Sequence, residues 1–522
     1  MLPEAARIAA GIIAAAATVF SVVYMAWLSG RRLDIHPSLS DFSVAQRSAR
    51  NTAILFVSGI AERALFWGFW IVALRILGPT GNGEYAFATN LFVYFAAVTN
   101  FGLSTLVSRE VARRREDLLT IFGNALVLRL LVLLAGAPVM VLLAVAYRVG
   151  DSISDVTVVV TILIAISLIP SSINQAYAAV YAGFERADFR GAVAIGTALF
   201  TVGAGVLALL IGAGLIGLGA VAIAGGVLTF ATLARPLGYK LLGTYKLAAR
   251  RELGEMARSA TPLMLNELLA NVFFQIDILV IQSLQGTEMV GKYNASYKFI
   301  AALTVIPVAV ALPLFPALVR AASNPEELGR WFVRAWRFLV LIGLPIVVVF
   351  TVFADGIVRS FWGEQFLPEG GDVLRTFIWF LPFALLNAMF QQVLISIDRL
   401  RTIATSFVVA TALNLALNLT LLPVFGIVAA AYATVIAEIA LLILYGAALR
   451  GRGLLGRVPG PLLKPAFAAA VMAGIAIPVG SFGWFAGAVA GGVAYAAVTF
   501  ATGGVSRGEL VSAYQAIRTG SR

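Results

Sequence analysis

Two opposite charges stand side by side in the stretch SGIAERALFWGFWIVA, at Glu62 and Arg63. They lie in the middle of an apolar run, from Asn51 to Leu77, that is long enough to cross a bilayer. A charge at that depth costs roughly 2.5–3.5 kcal/mol on insertion scales, and charges kept there usually serve a function. A guanidinium offers a planar fork of donors that suits phosphate, while a carboxylate accepts from cations, amides or hydroxyls. Neighbouring helical residues point about 100° apart, so the two need not pair with each other. Either they line a path for a polar, phosphate-bearing cargo, or they belong to an ion network inside a helical bundle. Lys298 poses the same choice: it faces such a path, or it snorkels to the nearer membrane surface.

A polar stripe runs along TPLMLNELLANVFFQIDILVIQ. Glu267, Asn271, Gln275 and Gln282 fall within about 80° of one another on a helical wheel, with Asn266 and Asp277 on the adjacent face. Carboxylate and amide oxygens in that pattern suit Na⁺, and a buried carboxyl can carry H⁺. Glu267, Asn271, Gln275 and Asp277 are therefore candidates for a coupling cation, the alternative being hydrogen bonds between helices. Amides also gather at Asn174 and Gln175, near Tyr177, at Asn387 and Gln391, and at Asn414 and Asn418. They suit sugar hydroxyls, and they equally suit helix–helix contacts.

Other chemistry is missing. There is no cysteine, and the one histidine, His36, lies in a polar loop, so neither thiol chemistry nor a metal site is expected. GAGLIG at 212–217 matches a dinucleotide-binding pattern literally, but it joins two apolar helices and lacks the preceding strand. Its small residues suit a tight hairpin instead. With no P-loop, HExxH or nucleophile elbow, the chain is not expected to be an enzyme, and no cofactor is expected.

The elements that hold these residues follow from hydropathy. The chain of 522 residues is 60% hydrophobic and only 12% charged, half the share of a soluble domain. Its mean hydropathy is +0.93. Apolar runs of spanning length cover 5–28, 51–77, 85–108, 122–147, 156–182, 190–211, 214–236, 259–283, 292–319, 332–353, 373–396, 402–422, 426–449, 462–480 and 483–502. Most basic residues fall in alternate connections, whereas the longest opposite one, FADGIVRSFWGEQFLPEGGD at 353–372, is acidic. By the positive-inside rule the chain is multi-pass, with the N-terminus outside and the C-terminus in the cytoplasm. The first run is read as a retained helix, because Arg31 and Arg32 follow it, whereas a signal peptide carries its charge in front.

The chain also repeats itself. ARNTA (49–53) precedes GEYAFA (83–88) by the same interval as ARSAT (257–261) precedes GKYNAS (291–296). NQAYAAVYAGFER (174–186) aligns with NAMFQQVLISIDR (387–399), and GLIGLGAVAIA with the segment from Gly426. Each unit holds six spans, so both enter the membrane in the same sense, and transport paths lie where such repeats meet. The organisation expected is an extra helix and linker over 1–49, a first lobe over 50–257, a second over 258–450, and two further helices with a tail over 451–522.

ALRILGPTGNGEYAFA with FGLSTLVSREVAR, and VGKYNASYKFIAALTVIPVAVALPLFPALVRAA in the second half, resemble the polysaccharide-export (O-antigen-type) flippases of the MOP exporter superfamily. Lipid II flippases and MATE exporters belong to the same superfamily. The resemblance covers roughly 45–450. It implies an all-α polytopic membrane protein of about 14 family helices: two six-helix lobes in a V, two C-terminal helices, and here one extra N-terminal helix. It implies alternating access that moves undecaprenyl-diphosphate-linked oligosaccharide from the inner to the outer leaflet of the plasma (inner) membrane of a prokaryotic cell, with a glycan polymerase as a candidate partner. Arg63, Glu62, Lys298, Asn174, Gln175, Asn387 and Gln391 would then line the cavity. The lipid II branch has a further basic residue where this chain reads YFAAVTNFGLS, which argues against lipid II as cargo. A MATE-like exporter of small cations and a membrane enzyme of the same glycan pathway are the competing readings.

Overall fold

The computed structural model describes residues 4–30, 44–237, 250–307, 318–322 and 324–503. His36, the basic residues Arg31, Arg32, Lys240 and Lys246, and the tail beyond Gly503 lie outside the described residues. Among those described, no strand occurs.

The helices are α1 (Glu4–Gly30), α2 (Val44–Asn100), α3 (Leu103–Arg113), α4 (Leu118–Val149), α5 (Asp155–Gly183), α6 (Ala187–Leu210), α7 (Gly214–Leu237), α8 (Arg250–Gln285) and α9 (Thr287–Leu303). The second half adds α10 (Pro325–Val352), α11 (Ala354–Phe361), α12 (Glu369–Phe377), α13 (Phe380–Ser396), α14 (Leu400–Phe425), α15 (Val428–Ala448), α16 (Leu463–Val479) and α17 (Trp484–Ala501). Thirteen stretches among the described residues are long and apolar enough to cross a membrane. Twelve of them fall on twelve of the fifteen expected runs. The thirteenth, Arg50–Arg113, takes in two more as one 64-residue stretch. The expected run at 292–319 begins on α9, and its residues 308–317 lie outside the described set.

The chain forms two compact units, Met1–Gly291 and Lys292–Arg522. The division falls after Gly291, so α8 packs with the first unit, although the sequence repeat restarts near Arg258.

In the first unit, α2 breaks at Gly78, whose backbone (φ 68, ψ −176) leaves the helix just before Pro79. A residue before proline disfavours the helical region, and glycine tolerates positive φ, so the pair marks the boundary between the two expected runs. The repeat-equivalent glycines Gly83 and Gly291 meet nearby. A Cβ added to Gly83 would fall 1.9 Å from the Thr287 carbonyl oxygen, and one added to Gly291 would fall 1.8 Å from the Pro79 carbonyl oxygen. Pro79 and Thr287 are themselves repeat equivalents, so the contact is symmetric in sequence. Asn82 Nδ2 donates to Gly291 O at 2.7 Å across it. Helix α1, outside the repeats, packs along α6: Gly196 makes room for Met25, and Gly203 for Ala14 and Thr18. Met25 and Leu28 join one core cluster with Leu103, Phe122, Tyr177 and Tyr181.

In the second unit, α10 starts at a well-made cap. The Asn324 side chain accepts from the Glu326 and Glu327 amides at 3.0 and 3.3 Å, and Pro325 opens the first turn. The acidic connection at 353–372 is folded rather than open. Arg375 reaches both Asp355 and Asp372 at 2.9 Å, and Lys292 Nζ pairs with Glu369 at 3.0 Å. Gly212 and Ala213 of GAGLIG lie in the turn from α6, and Gly214 opens α7.

Candidate functional site

The strongest polar cluster in the first unit is built around an arginine in α4. Arg129 lies well inside the spanning stretch Arg115–Val149 and is 0% exposed. Its NH2 donates to Asn100 Oδ1 at 2.8 Å and to Ser104 Oγ at 2.9 Å, and its NH1 donates to Gln175 Oε1 at 3.3 Å. The Asn100 amide in turn donates to Glu267 Oε2 at 2.9 Å. Side chains from α2, α3 and α5 therefore converge on one guanidinium of α4, and α8 joins through Asn100.

A helix break explains why Asn100 and Ser104 can serve. Helix α2 ends at Asn100, Phe101 and Gly102 both take positive φ (50° and 67°), and α3 begins at Leu103. At membrane depth such a break is tolerated only where protein or a cavity satisfies the freed backbone. Gly102 is also the point of closest approach to α8: a Cβ there would fall 2.5 Å from Leu263 Cβ and 2.8 Å from Ala260 O. Only glycine meets both demands.

Beside this cluster lies a cavity of about 730 Å³ bounded by α2, α5, α6 and α7. Glu62, Asn174, Gln175 and Arg190 line it, with the hydroxyls of Ser58, Ser167, Ser171, Thr197, Thr201 and Thr229. Asn174 Nδ2 donates to Gly226 O at 2.9 Å, and its buried Oδ1 has no partner among the described residues. Thr197 and Thr229 share a hydrogen bond of 2.7 Å across the cavity wall. Gln175 belongs to both structures, lining the cavity while accepting from Arg129. The lining thus offers amide and hydroxyl donors and acceptors, one carboxylate and one guanidinium, inside a unit otherwise covered in apolar side chains.

The sequence candidates fall into separate places. Glu62, Asn174 and Gln175 meet at this cavity. Arg63 is not in its lining; it is exposed on the neighbouring face of α2. The stripe on α8 is divided among several partners. Glu267 joins the Arg129 cluster, the Asn271 side chain donates to Glu267 O of its own helix at 2.9 Å, and Gln275 Oε1 accepts from Asn90 at 3.1 Å. Asp277 is buried, and Gln282 donates to Thr287 Oγ1 at 2.9 Å.

Within the second unit, Lys298 Nζ donates to Asn294 Oδ1, one turn back on α9, at 2.8 Å. Gln391 is half-buried. Asn387 Nδ2 donates to both the backbone oxygen (2.8 Å) and Oε2 (2.7 Å) of Glu438, a carboxylate 3% exposed. Asn414 and Asn418 form a buried pair on α14 with Thr434 of α15. Asn174 to Gly226 and Asn387 to Glu438 are the same amide-to-carbonyl bond in the two repeats, the second with a carboxylate added.

Sequence reasoning did not single out Arg129, Asn100, Ser104 or Glu438. Arg129 and Glu438 carry the signal that drew attention to Arg63, a lone charge inside a span; NALVLRLLVLL and AYATVIAEIALLILY show it plainly. Asn100 and Ser104 gain their roles from the break at Phe101–Gly102, which N-F-G hints at.

An all-helical membrane chain with a broken helix and a buried polar cluster at membrane depth has the architecture of a polytopic transporter. Solved structures share this fold. Against the lipid II flippase MurJ in an inward closed conformation the TM-score is 0.69 at 13% identity, over 86% of this chain and 98% of that one. Against an inward-facing multidrug-resistance MATE transporter of the MOP superfamily it is 0.61 at 16% identity, over 76% and 95%. At these identities the likeness establishes the MOP-superfamily fold. Residues 48–322, more than half the chain, match the model of the polysaccharide biosynthesis protein family, and the chain belongs to that family. Residues 262–420 also match the MatE model. Among curated proteins, a proposed O-antigen transporter of Shigella flexneri is 22% identical over 113 residues, which are 22% of this chain and 27% of that relative. The matched families and neighbours are transporters and flippases rather than enzymes.

Proposed function

We propose that this protein moves a polyprenyl-diphosphate-linked oligosaccharide from the cytoplasmic to the outer leaflet of a prokaryotic plasma membrane, by alternating access, for cell-surface polysaccharide assembly. The observation that carries the reading is the polar cavity of the first unit, rich in amides and hydroxyls and backed by Arg129. Sugar hydroxyls both donate and accept, so a lining of Asn174, Gln175, serines and threonines can exchange for their water without a fixed charge. Arg190 supplies a donor fork suited to phosphate. Arg129 acts through Gln175, fixing the side chain that faces the cavity. Membership of the polysaccharide biosynthesis family and the Shigella flexneri relative support a glycan cargo. A diphosphate moving outward goes downhill in an inside-negative membrane, about 2.3 kcal/mol per charge per 100 mV. A coupling cation at Glu267 would then serve the return step.

A second reading is export of small organic cations. It is favoured by Glu62 lying in the cavity while Arg63 lies outside it, and by the match of 262–420 to the MatE model. One experiment separates the two. Asn174→Ala, Gln175→Ala and Glu62→Gln are made in the native host, and the leaflet holding the lipid-linked glycan is read with a sugar-modifying probe that cannot enter cells. Export of a cationic dye is measured in parallel. Glycan retained inside in the two amide variants, at normal protein levels and with dye export unchanged, supports the flippase. Normal glycan display, with dye export lost in Glu62→Gln, supports the cation exporter.

A further inference from the structure

A second cavity, of about 380 Å³, lies wholly within the second unit and apart from the site above. Its charged lining is all of one sign: Arg337 of α10, Arg457 in the connection after α15, and Lys464 at the start of α16. No Asp or Glu among the described residues lines it.

The pocket is constructed rather than incidental. Gly329, Val333 and Arg337 are spaced four apart on α10 and so share one face. Gly329 leaves the space in which the Arg457 guanidinium lies; an added Cβ would sit 1.7 Å from its NH1. The Trp336 indole donates to Val458 O at 3.0 Å, which pins the segment that carries Arg457. Arg337 NH2 donates to Gly503 O at 3.4 Å, closing the far side at the end of α17. Prolines and glycines complete the wall and leave the space open.

The Arg457 guanidinium and the Lys464 ammonium beside one small space favour an anion there. Two arginine forks and a lysine point charge match the oxygens of a phosphate. The pocket sits at the beginning of the spanning stretch Gly460–Phe482, at a membrane surface rather than in the hydrocarbon core. Leu463 and Phe467, 73% and 59% exposed, flank Lys464 and present apolar surface where acyl chains would run. Basic pockets between helices at that level are where anionic lipid headgroups bind. We propose that this pocket binds the phosphate of an anionic phospholipid headgroup, so that α16 and α17, which lie outside the repeats, complete a lipid site distinct from the transport path.

The test uses the full-length protein in detergent micelles, with binding of phosphatidylglycerol and phosphatidylcholine counted by native mass spectrometry. The variants are Lys464→Gln alone, the triple Arg337→Gln/Arg457→Gln/Lys464→Gln, and a control, Arg109→Gln/Arg113→Gln, in a basic connection of the first unit. A basic residue near an anionic surface contributes about 1 kcal/mol, equivalent to about fivefold in affinity. Phosphatidylglycerol should therefore bind in preference to phosphatidylcholine, about fivefold more weakly in Lys464→Gln and about a hundredfold more weakly in the triple variant, with the control unchanged. Equal binding of the two lipids, or an unchanged preference in Lys464→Gln, overturns the proposal. Because Lys464 is exposed, that variant keeps the test valid even where the triple variant does not fold. Inorganic phosphate raising thermal stability as much as phosphatidylglycerol does, with no lipid bound, would overturn the lipid assignment in favour of a free-anion site.

Discussion

Replacing Arg129 with methionine is the sharpest test of the cluster in the first unit. The guanidinium makes three side-chain hydrogen bonds, to Asn100, Ser104 and Gln175, at 2.8, 2.9 and 3.3 Å. In a membrane protein such bonds average about 0.6 kcal/mol and reach about 1.7, because the unfolded chain in the membrane also finds partners. Three of them give a loss of about 2 kcal/mol, rising towards 5 at the upper limit. Arg129→Lys keeps the charge but lacks the planar fork that reaches Asn100 and Gln175 together, so its loss should be intermediate. The assay is reversible unfolding in mixed micelles titrated with dodecyl sulfate, followed by the fluorescence of the 8 tryptophans. A double-mutant cycle with Asn100→Ala isolates the contact and should return a coupling of about 0.6–1.7 kcal/mol. A single variant within about 0.5 kcal/mol of the parent, or a cycle that is additive, would refute the account of Arg129 as the hub of the cluster.

Three further outcomes are expected. Gly102→Ala should lower stability by about 1–3 kcal/mol or more in the same assay, because the new methyl meets both positive φ and the backbone of α8. Asn387→Ala should lower it by about 1–3 kcal/mol by leaving the Glu438 carboxylate without its amide donor, whereas Glu438→Leu should be close to neutral; similar losses in both would argue against the pair as described. Arg375→Gln should cost only about 0.2–1 kcal/mol, diminishing with added salt, since Asp355 and Asp372 are half exposed; a salt-independent loss would contradict this.

Much of this organisation is legible in the sequence, for reasons that differ by feature. The spanning helices are legible because bilayer thickness fixes their length and few charges survive inside them. The repeat is legible because GEYAFA and GKYNAS place Gly83 and Gly291 where backbones touch, and no other residue fits there. Asn174 and Gln175 are visible as polar groups on an apolar helix, and they do meet at the cavity. The facing of Glu62 and Arg63 was not legible. In water an amphipathic pattern tells inside from outside, but in lipid both the core and the exterior of a helix are apolar, and α2 gives no such stripe. Arg129 carries the same signal as Arg63, a lone charge inside a span, but its partners come from α2, α3 and α5, and α4 alone does not show them. The division of the α8 stripe among Asn100, Asn90 and Thr287 depends on which neighbours stand opposite each turn, and one helix alone does not carry that information.

The contact between Gly83 and Gly291 has a consequence for how this chain can change. Every replacement at either position adds atoms to a place where carbonyl oxygens already stand within 2 Å of the first one added. None removes any. Most packed positions can be adjusted in both directions, a methyl lost here and regained there, so substitutions at neighbouring sites can offset one another. This position has no such latitude: its side chains are already the smallest that exist. Drift at the two codons therefore runs in one direction only, and a partner substitution that shrinks the opposite residue is not available. The two glycines should behave as a fixed point about which the rest of both repeats is free to diverge.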